Sequence, residues 1–233
     1  MTYQPIFFQP IHRAADAGDV DALRRALASG VSPNALDSND RTPLHYLLRK
    51  GDKMEARLTC LLILLEAGAD IHAPTSKSQS TPFHYAAERS HANVIAALIK
   101  AGAELNRGNA FGETPLHWAC LRDDSHVEPV LLLLRNGAAV NARTSQGHTP
   151  LDYALLQPRR RRLVPILLRA GAALPAHTTN AYIQKVIAAG GIDHYARNHL
   201  NALAKTFTPK LAHRLPKELV RIVVEYAFHV GDC

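Results

Sequence analysis

The sequence lacks the features that mark several large classes of protein. It has three cysteines in 233 residues, none of them in a CxxC pair, which argues against a disulfide framework or a zinc module and favours a reducing compartment. Its longest apolar run, LLILL at 61–65, is far shorter than the roughly 20 residues that span a bilayer. It shows no signal peptide, glycine-rich phosphate loop, G-x-S-x-G elbow or H-E-x-x-H pair. We therefore expect an intracellular protein without membrane insertion, metal or cofactor, in the cytoplasm or alternatively the nucleus.

Basic residues outnumber acidic ones and give a net charge of +7. An excess of this size favours an acidic partner, which a protein, a nucleic acid or a lipid could each supply. The arginine run at 159–162 could be a nuclear-localisation signal or a patch for such a partner, but a solvated basic turn explains it as well. Since no aromatic residues interleave with the run, nucleic acid is not the expected partner.

Two short motifs recur along the chain in the same order. The first reads QPIH, TPLH, TPFH, TPLH and TPLD, beginning at residues 9, 42, 81, 114 and 149. The second follows each copy as GVSPNA, GADIHA, GAELNR, GAAVNA and GAALPA, with leucine-rich segments between. Thr-Pro is typical of a helix N-terminus, and glycine of a helix C-terminus. Each copy therefore predicts a pair of helices.

These motifs resemble the ankyrin repeat, whose period is about 33 residues and whose signature is T-P-L-H-x-A. The resemblance implies an all-α repeat solenoid, in which helix-turn-helix repeats are joined by short β-hairpin loops. It places five repeats in a domain over residues 1–176 and leaves 177–233 as a C-terminal helical segment. Each hairpin is numbered by the repeat that follows it. Asp40 and Gln79 replace the usual turn glycine in the second and third hairpins, so we expect these two to be looser or differently shaped.

Histidine recurs at one position of four successive repeats, at His12, His45, His84 and His117. A catalytic site is normally a single constellation, so this recurrence gives poor support for one. The resemblance implies instead that hydrogen bonds near the capping threonine and the adjoining hairpin hold each ring. Cys60 and Cys120 fall at interior positions and are expected to behave as small hydrophobes. We predict no catalytic residues and no enzymatic activity.

An aromatic residue stands four positions after the start of the first motif in repeats two to five, as Tyr46, Tyr85, Trp118 and Tyr153. Mainly basic residues follow one helical turn later, among them Arg49, Lys50, Arg89 and Arg122. In proteins that the chain resembles, this face of the first helix and the hairpin tips, here including Phe111, line a concave binding groove. Because Tyr, Trp and Arg often dominate binding energy, we predict a monomer that binds an acidic or phosphorylated protein or peptide there. The alternative is that the aromatic side chains only pack neighbouring repeats.

The segment after the repeats also has two interpretations. LPKELVRIVVEYAF, from 215, predicts an amphipathic helix that caps the last repeat. The same stretch resembles the opening L-P-x-E-L of an F-box, while 202–211 resembles a SOCS box less well, because Phe207 replaces its cysteine. Either box implies an adaptor that binds the linker protein of a cullin-type ubiquitin ligase. The residues expected to bind the linker are Leu215, Pro216, Leu219, Ile222 and Tyr226.

Overall fold

The structure, a computed structural model, describes residues 9–51, 54–89, 92–121, 127–156, 162–175 and 180–198. Over these ranges the chain folds into eleven helices and a further helical stretch at 192–198, with no strand. The helices are α1 (Pro10–Ala17), α2 (Val20–Ala28), α3 (Pro43–Leu48), α4 (Met54–Glu66), α5 (Pro82–Arg89), α6 (Ala92–Lys100), α7 (Pro115–Ala119), α8 (Glu128–Arg135), α9 (Pro150–Leu155), α10 (Leu163–Arg169) and α11 (Ala181–Ala188). The predicted all-α repeat is confirmed.

Each repeat contributes one helix that begins at the first motif and one that ends at the second. Thr42, Thr114 and Thr149 are N-caps with extended backbones, and a proline follows each of them in the first turn. These residues suit a helix start, where the missing N–H of proline leaves no hydrogen bond unmade. The second helices end just before left-handed glycines, of which Gly102 at φ 92° is one.

One apolar core runs through the stack of repeats. The motif positions Ile11, Leu44, Phe83, Leu116 and Leu151 are each 1% exposed or less. Burial of such a side chain stabilises the fold by about 1.5–3 kcal/mol. In a repeat protein each of these side chains packs mainly within its own repeat and against its neighbours. The core extends into α11, whose buried side chains belong to the same cluster.

The hairpins between repeats are tight turns. The backbone N–H of Asp37 donates to the carbonyl of Arg41 at 3.1 Å, and Asp40 takes the left-handed conformation at φ 55° that glycine takes in later hairpins. Aspartate tolerates this conformation better than most residues. In the third hairpin the corresponding bond joins Thr75 to Ser80, one residue further apart. The expected difference in shape is therefore wrong for the second hairpin and confirmed for the third.

Asparagine side chains link consecutive repeats at the second motif. The amides of Asn34, Asn106 and Asn141 each bond a backbone N–H and a backbone carbonyl of the next repeat, at 2.7–3.3 Å. Repeat two has His72 at this position instead. The junction between repeats two and three therefore lacks the amide bonds that the other three junctions have.

Several predictions concern residues outside the described ranges. These are Arg122, most of the arginine run, and every residue of the F-box-like and SOCS-box-like stretches. The boundary near residue 176 falls in such a gap as well, so the division into two domains stays a prediction. Among the helices of the described ranges, none has both the length and the apolar character needed to cross a membrane.

Candidate partner-binding face

The recurring histidines have a structural role. The Nδ1 atom of His45 accepts a hydrogen bond from the backbone N–H of Thr42 at 3.1 Å, so Nε2 carries the proton and donates to the carbonyl of Ser80 at 3.2 Å. His84 and His117 make the same pair of bonds in their repeats. Burial lowers the pKa of His45 to about 4 and also lowers the pKa of the other two rings. With both nitrogens engaged, these rings cannot serve as a general base or a metal ligand.

The two described cysteines are equally poor candidates for chemistry. Cys60 and Cys120 are both fully buried, as expected for small apolar side chains. Burial raises the pKa of the Cys60 thiol to about 11, which keeps it in the unreactive protonated form. Within the described ranges, no three His, Cys, Asp or Glu side chains gather in a way that could hold a metal ion.

The aromatic column packs against the histidine column of the preceding repeat. Each ring pair is edge-to-face with centroids 5.1–5.6 Å apart: His12–Tyr46, His45–Tyr85, His84–Trp118 and His117–Tyr153. Tyr85 and Trp118 also contact each other at 5.3 Å. Such pairs contribute about 0.5–1.5 kcal/mol each beyond area burial. The aromatic residues therefore pack neighbouring repeats together.

The four aromatic side chains differ in how much surface they leave open. Tyr46 is only 6% exposed, and its hydroxyl donates to Oδ2 of Asp37 at 2.6 Å. Tyr85, Trp118 and Tyr153 are half-buried. Tyr46 thus offers a partner almost no surface, and the predicted contact role rests on the other three.

Glu113 holds the two aromatic side chains of repeats four and five. Its Oε1 accepts from the Tyr153 hydroxyl at 2.6 Å, and its Oε2 accepts from Asn109 Nδ2 at 2.8 Å and from Trp118 Nε1 at 3.0 Å. Burial opposes ionisation of Glu113, but these three hydrogen bonds outweigh it and keep the pKa of the carboxyl below its ordinary value. Nothing in the sequence indicated that Glu113 joins two repeats.

The basic flank of the aromatic column is largely paired with acidic residues. Asp16 accepts from Arg49 Nε at 2.8 Å and from Lys50 Nζ at 2.9 Å. Burial opposes ionisation of Asp16, but the bonds from Arg49 and Lys50 outweigh it and lower the pKa of the carboxyl. Arg89 pairs with its neighbour Glu88 at 3.0 Å. This flank is therefore less positive than the count of its basic residues predicts.

Two large apolar side chains stand well out of the described surface on this side of the repeats. Phe111, at the tip of the fourth hairpin, is 56% exposed, and Leu156, at the end of α9, is 69% exposed. Phe111 is among the contact residues predicted from the sequence, whereas Leu156 is not. A signal was present, because Leu156 occupies the same position of its repeat as Arg49.

Helix pairs stacked in this way define a class, the helical repeat proteins. Two family models match the chain: "Ankyrin repeats (3 copies)" over residues 11–109 and "Ankyrin repeats (many copies)" over 98–154. The chain belongs to the ankyrin repeat family, whose members are generally non-enzymatic modules for protein–protein interaction.

Curated relatives match a little under half of the chain. It is 32% identical over 110 residues to human "Ankyrin repeat and SOCS box protein 16", of which the match covers 23%. It is 33% identical over 106 residues to bovine "Cyclin-dependent kinase 4 inhibitor B", of which the match covers 76%. It is 31% identical over 121 residues to the Arabidopsis thaliana "Putative E3 ubiquitin-protein ligase XBAT31", with 25% of that protein covered. The chain thus spans about a quarter of two of these relatives.

Proposed function

We propose that the chain binds a partner protein through the groove face, the surface formed by its first helices and hairpin tips. The observation that carries the proposal is the presence of three half-buried aromatic side chains, Tyr85, Trp118 and Tyr153, in consecutive repeats beside the exposed Phe111. Large aromatic side chains that remain partly open are the residues that most often dominate binding energy. The engaged histidines and buried cysteines favour binding over catalysis. The names of the relatives point to different partners, so none of them transfers directly to this chain.

The charges on the groove face support an acidic or phosphorylated partner segment opposite repeats two and three. Among the described residues, Arg49 and Lys50 share one carboxylate, that of Asp16, so the three side chains together carry one net positive charge. Lys77 is exposed at the tip of the third hairpin and forms no ion pair with any described residue. The excess of positive charge is modest, and we expect it to steer association more than to supply affinity.

Affinity capture with the full chain tests the groove face. We expect Tyr85→Ala with Trp118→Ala to reduce the amount of each specifically captured protein at least about tenfold, because both side chains leave the contact surface. A second variant, Lys77→Glu, changes an exposed charge without touching the core and should weaken capture a few-fold at low salt.

The matched control is Leu62→Ser, which removes an exposed apolar side chain from α4, a second helix. Circular dichroism and thermal unfolding establish that every variant keeps the repeat fold. If the groove variants capture the same proteins in the same amounts as Leu62→Ser, the groove face is not the binding surface.

A second candidate function is that of a substrate adaptor for a cullin-type ubiquitin ligase. Two relatives carry names that include a SOCS box or a ubiquitin-protein ligase, and the chain itself contains LPKEL at 215–219. In this proposal Leu215, Pro216, Leu219, Ile222 and Tyr226 contact the linker protein. The groove face would then select the substrate.

Binding to purified linker proteins tests the adaptor function. The full chain should co-elute in size-exclusion chromatography with the linker that F-box proteins use, or with the linker that SOCS boxes use. We expect Leu219→Glu with Ile222→Glu to abolish co-elution and Lys217→Ala, in the same stretch, to preserve it. Failure of the unaltered chain to bind either linker would exclude this candidate and leave the groove proposal intact.

A further inference from the structure

The groove face changes in polarity from one end of the stack to the other. The position seven residues after the start of the first motif is charged in repeats one to three and leucine in repeats four and five: Asp16, Arg49, Glu88, Leu121 and Leu156. Leu156 is 69% exposed, and Leu121 is half-buried. The same surface position therefore presents ions to solvent at one end and hydrocarbon at the other.

One hairpin tip adds a further apolar side chain. The residue three positions before the Thr of the motif is Asn39, Ser78 and Gln146 in the second, third and fifth hairpins, but Phe111 in the fourth. Phe111 and Leu156 are the two most exposed large apolar side chains of the described ranges. Exposed apolar groups that cluster on one side of a protein mark interaction sites, because solvent contact is unfavourable for them.

Hydrogen bonds hold two of the aromatic rings of this end in place. Glu113, two residues after Phe111, holds Trp118 through Nε1 and Tyr153 through its hydroxyl, at 3.0 Å and 2.6 Å. Leu156 follows Tyr153 by three residues, so it lies about one turn along on the same side of the chain. The polar atoms of both rings are thus satisfied within the protein, and what remains for a partner is their hydrocarbon surface. A side chain that binds here would meet groups already in place, which lowers the entropy cost of binding.

The charges near this surface also restrict the partner. The tips of the third and fifth hairpins carry the exposed residues Lys77, Gln146 and His148, whereas the Glu113 carboxylate is directed inward. Asp152, the acidic residue at the start of α9, is bound to its own cap, Thr149, at 2.8 Å. An acidic residue of a partner would therefore find complementary charge at Lys77.

We infer that Phe111, Trp118, Leu121, Tyr153 and Leu156 form an apolar anchor site. It binds a leucine- or phenylalanine-type side chain in a short linear segment of the partner protein, with acidic residues next to that side chain. The inference rests on the proposed binding function of the groove face. It adds which repeats supply the anchor and which partner chemistry they select.

Selection from a displayed library of short random linear peptides, with the full chain as bait, provides the first test. We expect the selected peptides to be enriched in Leu, Phe or Trp with Asp or Glu within a few positions. The affinity of one such peptide is then measured by fluorescence polarisation. Phe111→Ser with Leu156→Ser should weaken it at least about tenfold. Leu62→Ser removes the same kind of exposed side chain from a second helix and should leave the affinity unchanged.

The outcomes separate this inference from the groove proposal. If the peptide binds normally to the Phe111 and Leu156 variant but is lost from Arg49→Glu with Lys50→Glu, the anchor site is wrong and the groove face stands. If neither pair of changes alters binding, the groove face itself is not the binding surface. Selected peptides without apolar enrichment, or a library that gives no binder, would overturn the choice of an apolar linear segment. Phe111, Leu156 and Lys50 are exposed, whereas Arg49 is half-buried beside Asp16, so circular dichroism checks that every variant keeps its fold.

Discussion

The aromatic position of the motif is covered in repeat two and partly exposed in repeats four and five. In repeat two, Tyr46 is 6% exposed, its hydroxyl is bound by Asp37 of its own hairpin, and the Arg49 guanidinium lies 4.8 Å from its ring centroid. In the later repeats Trp118 and Tyr153 share one carboxylate and remain half-buried. The repeat motif thus determines where a side chain lies, and the contacts with neighbouring residues determine whether it is covered or exposed.

A buried arginine of a second helix also links repeats one and two. Arg57 of α4 is only 4% exposed, and its guanidinium donates to the carbonyls of Leu47 and Asp16 and, at 3.5 Å, to that of Ala15. These carbonyls lie in the last turns of α3 and α1, where a helix leaves its C=O groups without intrahelical partners. One buried cation therefore fastens the ends of two first helices together, which makes repeats one and two a structural unit.

The largest effect is expected from breaking that unit. Arg57→Leu removes the guanidinium donor from the carbonyls of Leu47 and Asp16, one in each helix end, and we expect it to lower the free energy of unfolding by about 3–5 kcal/mol. Arg25→Leu, at an exposed position of α2, should change it by less than about 0.5 kcal/mol. Urea unfolding followed by circular dichroism measures both. A loss below about 1 kcal/mol for Arg57→Leu would show that the unit is held by apolar packing alone.

The second largest effect on stability is expected from lowering the pH, through the buried histidines. An unfolded His45 has the ordinary pKa of 6.5, whereas the folded ring resists protonation down to about pH 4. Between these values the unfolded chain binds more protons, so stability is lost as the pH falls from about 6.5 to about 4, by about 3 kcal/mol for this residue. His84 and His117, whose pKa values are also lowered by burial, should add to the loss.

Urea unfolding at a series of pH values measures this dependence. His45→Gln should make the curve shallower between pH 6.5 and 4, whereas His194→Gln, at an exposed position, is the control for the loss of one histidine. Equal curves for the two variants would mean that His45 is protonated in the folded state.

Asp37 and Glu113 accept hydrogen bonds from the hydroxyls of Tyr46 and Tyr153, so replacing each of them compares repeat two with repeats four and five. Asp37 is 5% exposed and accepts from the backbone N–H groups of Asn39 and Arg41 as well as from Tyr46. Asp37→Ala removes two side-chain bonds to the hairpin backbone together with the tyrosine contact and should lower the free energy of unfolding by about 2–3 kcal/mol. Glu113→Ala removes side-chain bonds only, and we expect about 1–2 kcal/mol. An equal loss at Glu113 would contradict this difference, and a larger one would mean that the Glu113 contacts hold their repeats more tightly than the Asp37 contacts hold theirs.

The sequence carried most of the fold because each repeat states the same local rules. Thr-Pro starts, glycine ends and inward leucines are short-range features, and their recurrence fixed the register of all five helix pairs. The aromatic column could be found in the same way. Its division into a covered and an open half could not, since that depends on Asp37, Glu113 and Asp16, whose partners lie up to 40 residues away along the chain. The positive flank was overestimated for the same reason, because Asp16 belongs to a different repeat from Arg49.

The smallest predicted effect is a gain in stability at the junction between repeats two and three. His72 stands where the other junctions have asparagine, and it lies 3.6 Å from Glu104, an exposed contact of little expected value. By the register of the other junctions, an asparagine here would reach the carbonyl of Gly102 and the backbone N–H of Glu104. His72→Asn should therefore stabilise the protein by about 0.5–1 kcal/mol, while Asn106→Ala, which removes such a link, should destabilise it by a similar or larger amount. Thermal unfolding of both variants measures the difference, and a lower midpoint for His72→Asn would mean that the stack is spaced differently at this junction from the other three.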